Sequence, residues 1–395
     1  MHELEAIVLA NKKSWQKGET TFLATIVNTV GSTYRQKGAK MLIQETGKMV
    51  GTLSGGCVEN DIFQYTQQII RESLVIEYDA TKAEEDLSWG FGLGCNGRVI
   101  ILLEKLNQAN TLSPLNLVSQ CLNKNKTGAI STIFSVTGTI DLKIGSRLIL
   151  YPNDRTETDI QDSDLVEAIV HDTMRAKQEQ KSTVNQYRLT SGSVNVFIDV
   201  IHPPRSLIVF GAGRDALPVV TLAKAIGWQL TVVDCRALQE SYQRFAIADK
   251  VILTRRDIIN QQLAVDENTV AVVMTHNYLD DLEIIKYLLP TQISYLGVMG
   301  SKNRIANIIK QLHSTPAQLE KVYSPIGLDI GAGTPAEIAT AIIAEIQAVL
   351  AKHNAGFSKY RCQPLHVKET IQHKLINSSD KVNLFEHQSS TSVGT

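Results

Sequence analysis

Two cysteines stand in glycine-rich segments of the first hundred residues, where a thiol could do chemistry. Cys57 follows two glycines in LSGGCVE (53–59), where the apolar pattern predicts that a helix begins. The dipole of a helix and the free N–H groups of its first turn stabilise a thiolate. Cys95 lies in a second glycine-rich loop, GLGCNG (92–97). Together with upstream positive charge, these thiols suggest an anionic ligand that contains sulfur or a metal. The upstream cations are Arg35, Lys37 and Lys40.

An alternative is that both thiols are small buried apolar groups at tight turns, the usual environment of an unpaired cysteine. The chain has 5 cysteines without a CxxC pair, which excludes a disulfide scaffold and the common structural zinc modules. The sequence also lacks the signatures of a Ser-His-Asp triad, a zinc protease, a Walker A loop or paired catalytic carboxylates. Residue types alone therefore do not indicate catalysis.

Another glycine-rich turn follows the apolar run SLIVF (206–210) and precedes a helical pattern. This strand–turn–helix arrangement is the G-x-G-x-x-A form of a dinucleotide fold. Gly211 permits the tight turn, and Gly213 lets a phosphate approach the backbone at the positive end of the helix. Asp234 ends the next predicted strand, where a carboxylate would bond a ribose hydroxyl. The alternative is a tight turn and an acidic strand end that hold no ligand.

More polar residues follow the predicted strands of this region. In an open parallel sheet, ligands bind beyond the carboxyl ends of the strands. His276 is therefore a candidate general acid, general base or phosphate contact, and otherwise a capped loop residue. Lys302 and Arg304 follow a glycine turn at a predicted helix start. They could hold a phosphate or lie on a solvated helix face.

The elements that must position these residues predict an α/β protein. Short apolar runs between 206 and 299 alternate with helical segments, as in a parallel sheet covered on both faces. We expect a C-terminal Rossmann-like parallel sheet preceded by an N-terminal αβ domain and a smaller middle αβ unit. Residues 128–139 share the apolar and threonine-rich texture of 19–32, which supports the middle unit without establishing a repeat. The predicted regions are 1–106, 112–201, 205–350 and a disordered tail at 376–395.

Composition excludes several classes of protein. The 395 residues include 39 Lys and Arg against 40 Asp and Glu, a net charge of −1. This balance does not fit a nucleic-acid binder or a basic membrane-surface protein. No apolar run reaches the roughly 18 residues of a membrane span, and the N-terminus lacks the layout of a secretory signal. We therefore expect a cytoplasmic protein that binds neither nucleic acid nor membrane.

Eight motifs, in order along most of 1–350, resemble the XdhC/CoxI family. The motifs that resemble its N-terminal domain are GSTYRQKGAKMLI (31–43), LSGGCVE (53–59) and WGFGLGCNG (89–97). Those that resemble its Rossmann-like domain are FGAGRDA (210–216), VVDCR (232–236), VMTHNYLDD (273–281), YLGVMGSKNR (295–304) and GLDIGAGTPAEIATAIIAEI (327–346).

The resemblance implies an accessory protein for a molybdenum hydroxylase such as xanthine dehydrogenase or carbon monoxide dehydrogenase. Members of this family bind the molybdenum cofactor, a pterin dithiolene that bears a phosphate. They assist the replacement of an oxo ligand by sulfur from a partner cysteine desulfurase, and then help insert the cofactor into the apo-enzyme. We therefore expect a maturation chaperone without turnover of its own and without catalytic residues, and a homodimer is compatible with this role.

The positions of these residues at glycine turns, strand ends and helix starts predict which of them contact the cofactor. In the Rossmann-like domain these are Gly211, Gly213, Asp234, His276, Lys302 and Arg304. In the N-terminal domain they are Arg35, Gly55, Gly56, Cys57, Glu59 and Cys95, with Cys57 as the candidate metal ligand. The sequence departs from the family at Arg214, where histidine is more usual, and at Asn303, which interrupts a more basic run. A histidine role does not transfer to the first position, and the second change weakens a phosphate grip.

Two other functions fit parts of the pattern. An NAD(P)-dependent oxidoreductase would use the 211–216 turn and Asp234, although no residue pair clearly supplies hydride geometry or a proton relay. A structural or scaffolding protein would bind its partners without using that turn. Substitution of Gly213 by valine, which should block ligand approach to the turn, separates the scaffold from a ligand-binding protein.

Overall fold

The computed structural model describes residues 3–56, 58–68, 72–79, 97–236, 238–360 and 372–375. The chain divides into two compact units. We call Glu3–Pro203, together with the short strand at 372–375, the N-terminal unit, and 204–360 the C-terminal unit. The tail predicted to be disordered, 376–395, lies outside the described residues.

The first sheet of the N-terminal unit has the strand order β3-β2-β1-β5-β4, and its neighbouring strands are antiparallel. Its strands and the helices that accompany them are α1 (Glu3–Gln16), β1 (Thr21–Gly31), β2 (Lys40–Gln44), β3 (Met49–Gly51), α2 (Glu59–Gln68), β4 (Ser73–Asp79) and β5 (Gly97–Lys105).

The second sheet of this unit has the order β17-β9-β10-β6-β7-β8. Its neighbours are antiparallel except for β17, which runs parallel to β9. The elements are α3 (Pro114–Lys124), β6 (Gly128–Gly138), β7 (Arg147–Leu150), β8 (Thr156–Thr158), α4 (Ser163–Gln178), β9 (Thr183–Leu189), β10 (Gly192–Ile201) and β17 (Gln372–Leu375).

Apolar residues on both faces of the central strands explain how these sheets are covered. In β5, Ile101 and Leu103 belong to a core that includes Ile62 of α2. The intervening Leu102 points to the opposite face and packs with Phe197 of β10. The two sheets thus pack against each other through one face, while α2 and α4 cover their other faces.

The C-terminal unit alternates strands and helices along the chain. Its elements are β11 (Ser206–Phe210), α5 (Ala216–Ala225), β12 (Gln229–Asp234), α6 (Glu240–Arg244), β13 (Lys250–Leu253), α7 (Ile259–Gln262), β14 (Thr269–Val273), α8 (Tyr278–Leu288), β15 (Tyr295–Val298), α9 (Lys302–Leu312), α10 (Pro316–Leu319), β16 (Val322–Tyr323) and α11 (Pro335–Leu350).

This unit contains a parallel sheet of order β13-β12-β11-β14-β15-β16. The strands are mainly apolar because both faces of the sheet are covered. Helices α5 and α11 contribute to the core on one face, and α8 and α9 to the core on the other. The structure confirms the predicted fold class, a Rossmann-like parallel sheet preceded by αβ regions.

Candidate functional site

The direction in which the chain adds strands reverses between β11 and β14, which are neighbours in the parallel sheet. Such a reversal opens a crevice at the carboxyl ends of the two strands, and ligands bind there in open α/β sheets. Gly211 lies directly after β11 with a φ of 119°. A Cβ at this position would stand 2.4 Å from the carbonyl oxygen of Met274, after β14. The close approach of the two strand ends therefore requires glycine.

A carboxylate–imidazole pair spans this crevice. Asp215, the last residue before α5, lies 2.7 Å from Nε2 of His276 through its Oδ2 atom. His276 follows β14 and adopts a left-handed φ of 59°, which is uncommon for a residue other than glycine. A Cβ on Gly213 would stand 2.3 Å from Oδ1 of Asp215. Sequence reasoning found His276 and Gly213 but missed Asp215.

An arginine also supports the glycine-rich turn. Nη1 of Arg244, on α6, donates to the carbonyl oxygen of Ala212 at 2.7 Å. This bond fixes the turn from the side of α6 and brings a guanidinium to within hydrogen-bond distance of its backbone. Sequence reasoning missed Arg244 as well, because it lies far along the chain from the turn and outside every motif.

Asp234 is 1% exposed, and its carboxylate accepts hydrogen bonds from the loop that follows β12. Oδ1 accepts from the Arg236 N–H at 3.0 Å, and Oδ2 accepts from the Ser241 hydroxyl at 2.6 Å. Burial opposes ionisation, but these hydrogen bonds and the nearby guanidinium outweigh it and lower the pKa of Asp234. The carboxylate thus orders its own loop, and the ligand contact expected of it stays a prediction.

Lys302 and Arg304 differ in their surroundings. Lys302 is exposed at the first residue of α9. Arg304 donates through Nη2 to Oδ2 of Asp281 at 2.5 Å, and Asp281 is 1% exposed. Asp281 also accepts from the Thr275 hydroxyl at 2.5 Å. Arg304 is therefore tied to the end of β14 through Asp281, which leaves Lys302 as the more accessible cation of the two.

In the N-terminal unit, the loop before α2 folds around the carboxylate of Glu59. Oε1 accepts from the backbone N–H groups of Leu53, Ser54 and Gly55 at 3.0, 2.8 and 3.2 Å, and Oε2 accepts from that of Gly56 at 2.9 Å. The hydroxyls of Thr52 and Ser54 add bonds of 2.8 and 2.5 Å. Burial disfavours the charged form, yet these bonds lower the pKa of Glu59 to about 2. The amides that we expected to face a ligand thus bind a side chain of the protein.

This arrangement fixes the backbone that leads into the first cysteine motif. Gly55 and Gly56 have φ of 86° and 124°, conformations that favour glycine. A Cβ on Gly55 would lie 3.5 Å from the ring of Tyr34, so loops 32–38 and 52–56 are neighbours. Cys57 and Cys95 themselves lie outside the described residues. Their predicted contact with a metal or sulfur stays a prediction.

Arg35, on the loop between β1 and β2, forms a two-pronged ion pair with Glu3 of α1. Its Nη1 and Nη2 atoms lie 3.0 and 2.7 Å from the two carboxylate oxygens. The hydrogen bonds to Glu3, partly opposed by burial, raise the pKa of the guanidinium. Both side chains remain about one-third exposed, at 31% and 37%. The guanidinium is therefore held in place while part of it still faces solvent.

Neither a cluster of metal ligands nor a membrane-spanning helix is found among the described residues. They contain no group of three or more His, Cys, Asp or Glu side chains that could hold a metal ion. Within the same residues, no helix is both long and apolar enough to cross a membrane.

Comparisons with known proteins follow the same division of the chain. Residues 14–79 match the family model of the XdhC and CoxI family, and residues 207–346 match that of the XdhC Rossmann domain. A relative from Bacillus subtilis (strain 168), named as a probable subunit of xanthine dehydrogenase, is 35% identical over 332 residues, which are 83% of this chain and 92% of that relative. The molybdenum cofactor insertion chaperone PaoD of Escherichia coli (strain K12) is 21% identical over 342 residues, 84% of each chain.

A solved structure is similar over nearly the whole chain. It is a crystal structure described as a xanthine dehydrogenase from Bacillus halodurans, with a TM-score of 0.71 and 29% sequence identity. The similarity covers 91% of this chain and 99% of that one. Together with the matched motifs and the observed Rossmann-like sheet, these relationships establish that the chain belongs to the XdhC and CoxI family.

Proposed function

We propose that this protein binds the molybdenum cofactor as cargo and serves a molybdenum hydroxylase of the xanthine dehydrogenase or carbon monoxide dehydrogenase type. Two relatives support this proposal through their names, one as a probable part of xanthine dehydrogenase and one as a molybdenum cofactor insertion chaperone. The cargo carries a phosphate, so its carrier needs an anion site. It also carries an oxidation-sensitive metal, which favours a carrier that limits contact with solvent.

The observation that carries the proposal is the contrast between the two glycine-rich turns. At 53–56 the backbone N–H groups are already bonded to Glu59. At 211–214, by contrast, no described residue accepts a hydrogen bond from the N–H of Gly213 or Arg214. These groups precede the N-terminus of α5, where the helix dipole favours an anion. The turn after β11 can therefore receive a phosphate that the loop before α2 cannot.

Neighbouring side chains fit the same role. His276 lies across the crevice from the turn, and its contact with Asp215 orients the ring. Arg244 holds the turn through its bond to Ala212 O, and Lys302 supplies an accessible positive charge after β15. We assign phosphate binding to the N–H of Gly213, to His276 and to Lys302, with Arg304 acting through its ion pair with Asp281. Gly211 shapes the turn instead, because its own N–H donates to Val233 O at 2.9 Å.

The N-terminal unit is proposed to act on the metal end of the cargo during maturation. Glu59 holds the loop that leads to Cys57, and Arg35 adds a fixed, partly exposed cation. We propose that Cys57 and Cys95 approach the molybdenum or the transferred sulfur, with a cysteine desulfurase as sulfur donor. Delivery to the apo-enzyme then requires a second partner surface, and a homodimer is compatible with both steps.

The family assignment does not support the NAD(P)-dependent alternative, and the environment of Asp234 also disfavours it. A dinucleotide fold uses a free carboxylate at this position to bond the ribose. Here both carboxylate oxygens already accept hydrogen bonds from Arg236 and Ser241. A ribose would have to displace bonds that order the loop.

Anaerobic binding of the cofactor tests the proposal. The purified chain is mixed with molybdenum cofactor, free ligand is removed, and bound molybdenum and oxidised pterin are quantified beside an NAD(H) control. Gly213→Val should abolish retention, because its Cβ would displace the Asp215 side chain and block the turn. Gly356→Val is a matched control, since its Cβ would meet a neighbour only at an ordinary 3.5 Å. Retention of NAD without pterin would refute the proposal.

A further inference from the structure

The two sheets of the N-terminal unit are built by the same succession of elements. Each begins with a helix, continues with three strands, a second helix and two more strands, from α1 to β5 and again from α3 to β10. The strand orders also correspond, since β3-β2-β1-β5-β4 matches β8-β7-β6-β10-β9. We call α1 to β5 the first copy and α3 to β10 the second copy.

The correspondence holds residue by residue between 18–51 and 125–158. Strands β1 and β6 have the same length and the same pattern of buried and exposed residues. Their connections to the next strand also share hydrogen bonds. The N–H of Gly38 donates to Ile26 O and that of Gly145 to Ile133 O, both at 2.8 Å. Such agreement in register and connection indicates a duplicated fold.

The copies contact each other through equivalent residues. A bulge interrupts β1 at Val27 and β6 at Phe134, and both residues join the apolar cluster between the sheets. Two more equivalent pairs complete much of that cluster: Leu102 with Phe197, and Val75 with Val184. A surface that packs on its own equivalent is the mark of a two-fold interface.

Two buried ion pairs repeat this reciprocity. Lys40 of the first copy pairs with Asp199 of the second, and Arg147 of the second copy pairs with Glu104 of the first. Each cation also donates to the carbonyl oxygen of the glycine two residues before it. Lys40 reaches Gly38 O at 3.0 Å, and Arg147 reaches Gly145 O at 2.8 Å. Each copy therefore anchors a loop of the other.

The copies differ where chemistry is expected. Thr33 and Arg35 of the first copy correspond to Ile140 and Leu142, which pack against the apolar core of the second copy. The loop that encloses Glu59 also has no counterpart. Helix α4 begins with an ordinary cap instead, in which Asp162 accepts from the Leu165 N–H at 2.9 Å. The loop after the first strand is therefore apolar in the second copy and polar in the first.

We infer that, of the two copies in the N-terminal unit, only the first contacts cargo, and that the second copy is its permanent structural partner. Asp199 is then a positioning residue. It holds Lys40, whose ammonium group binds Gly38 O at the end of the loop that carries Arg35. The identity of the cargo rests on the proposed function, and the inference predicts one cargo molecule per chain.

Stoichiometry and a pair of loop variants test the assignment of cargo to the first copy. The full chain, loaded anaerobically with cofactor released from a molybdoenzyme, should retain one molybdenum and one pterin per chain. Two of each would overturn the inference. Arg35→Leu introduces the residue of the second copy and should weaken retention about tenfold. Lys143→Ala, on the corresponding loop of the second copy, should leave retention unchanged, and equal weakening by both would contradict the inference.

The reciprocal ion pairs test the duplication independently of cargo. Asp199→Asn and Glu104→Gln each leave a buried cation without its charged partner, so both should lower Tm. Only Asp199→Asn should weaken cofactor retention, with recovery in Asp199→Glu. Unchanged Tm in either variant would refute the reciprocal anchoring even if the wild-type chain retained no cofactor, a result that would instead overturn the proposed function. If Asp199→Asn fails to fold, Arg35→Leu still decides the cargo assignment.

Discussion

Glu59→Gln is the perturbation that most directly tests how the loop before α2 is held. The carboxylate accepts hydrogen bonds from the N–H groups of four consecutive residues, Leu53 to Gly56. A glutamine keeps the size of the side chain but replaces one acceptor oxygen with an NH₂ group. The NH₂ group is a donor and cannot accept a hydrogen bond from the N–H of Gly56. If the side chain were flipped, the other three N–H groups would lose their acceptor instead. We therefore expect 53–56 to open while the sheets stay folded.

The magnitude follows from the lowered pKa of Glu59. A fall from the ordinary 4.5 to about 2 corresponds to about 3 kcal/mol at 1.36 kcal/mol per pKa unit. Some of this is lost because water enters the opened loop, so we expect about 2 kcal/mol, or about 30-fold faster local opening. Because the folded pKa is lowered, the stabilisation is fully present above pH 4.5 and is lost as the pH falls towards 2.

Hydrogen exchange of the 53–56 amides is the suitable assay. At pH 7 these amides should exchange about 30-fold faster in Glu59→Gln than in the wild type, and the difference should shrink as the pH falls below 4.5. Glu77→Gln is a matched control, because Glu77 forms an ion pair at 49% exposure with Arg98 in the same sheet. Unchanged protection of 53–56 in Glu59→Gln at pH 7 would refute the reasoning.

Three further predictions concern other parts of the chain. Gly211→Ala should destabilise the C-terminal unit by about 2–4 kcal/mol, through backbone strain and contact with Met274 O. Gly331→Ala, with positive φ but nothing within 4 Å, should cost less, so equal losses of Tm would argue against the contact. Arg244→Met should lower stability by about 1–2 kcal/mol and weaken cofactor retention, and intact retention would show that the bond to Ala212 does not shape the site. Replacement of 81–96 by Thr-Ser, the turn between β9 and β10, should leave a cooperatively folding chain by circular dichroism, whereas an unfolded product would count against the duplication.

The parallel sheet could be predicted from the sequence because its signals are local. Each strand is a short, mainly apolar run, and the turn after β11 carries its two glycines only two positions apart. The partner of His276 could not be predicted in this way, since Asp215 lies 61 residues away and meets it only once β11 and β14 are neighbours. Arg244 was missed for the same reason.

Glu59 shows a different limit of sequence reasoning. A glycine-rich loop before a helix suggests that its backbone N–H groups are available to bind an anion. The sequence does not reveal that these groups donate to a carboxylate three to six residues further along the chain. The duplication was also only partly visible. The texture of 19–32 recurs at 128–139, but the evidence for a repeat is the shared register, the shared bulges and the reciprocal ion pairs.

The joining of two equivalent copies in one chain has a consequence that a pair of identical protomers could not have. In a homodimer every substitution appears on both sides of the axis, so one side cannot lose a site that the other retains. Here the equivalent positions 35 and 142 can carry an arginine and a leucine with different roles, because each copy is encoded separately. The connecting chain also keeps the partner at a fixed effective concentration, so association of the copies does not depend on how much protein the cell makes.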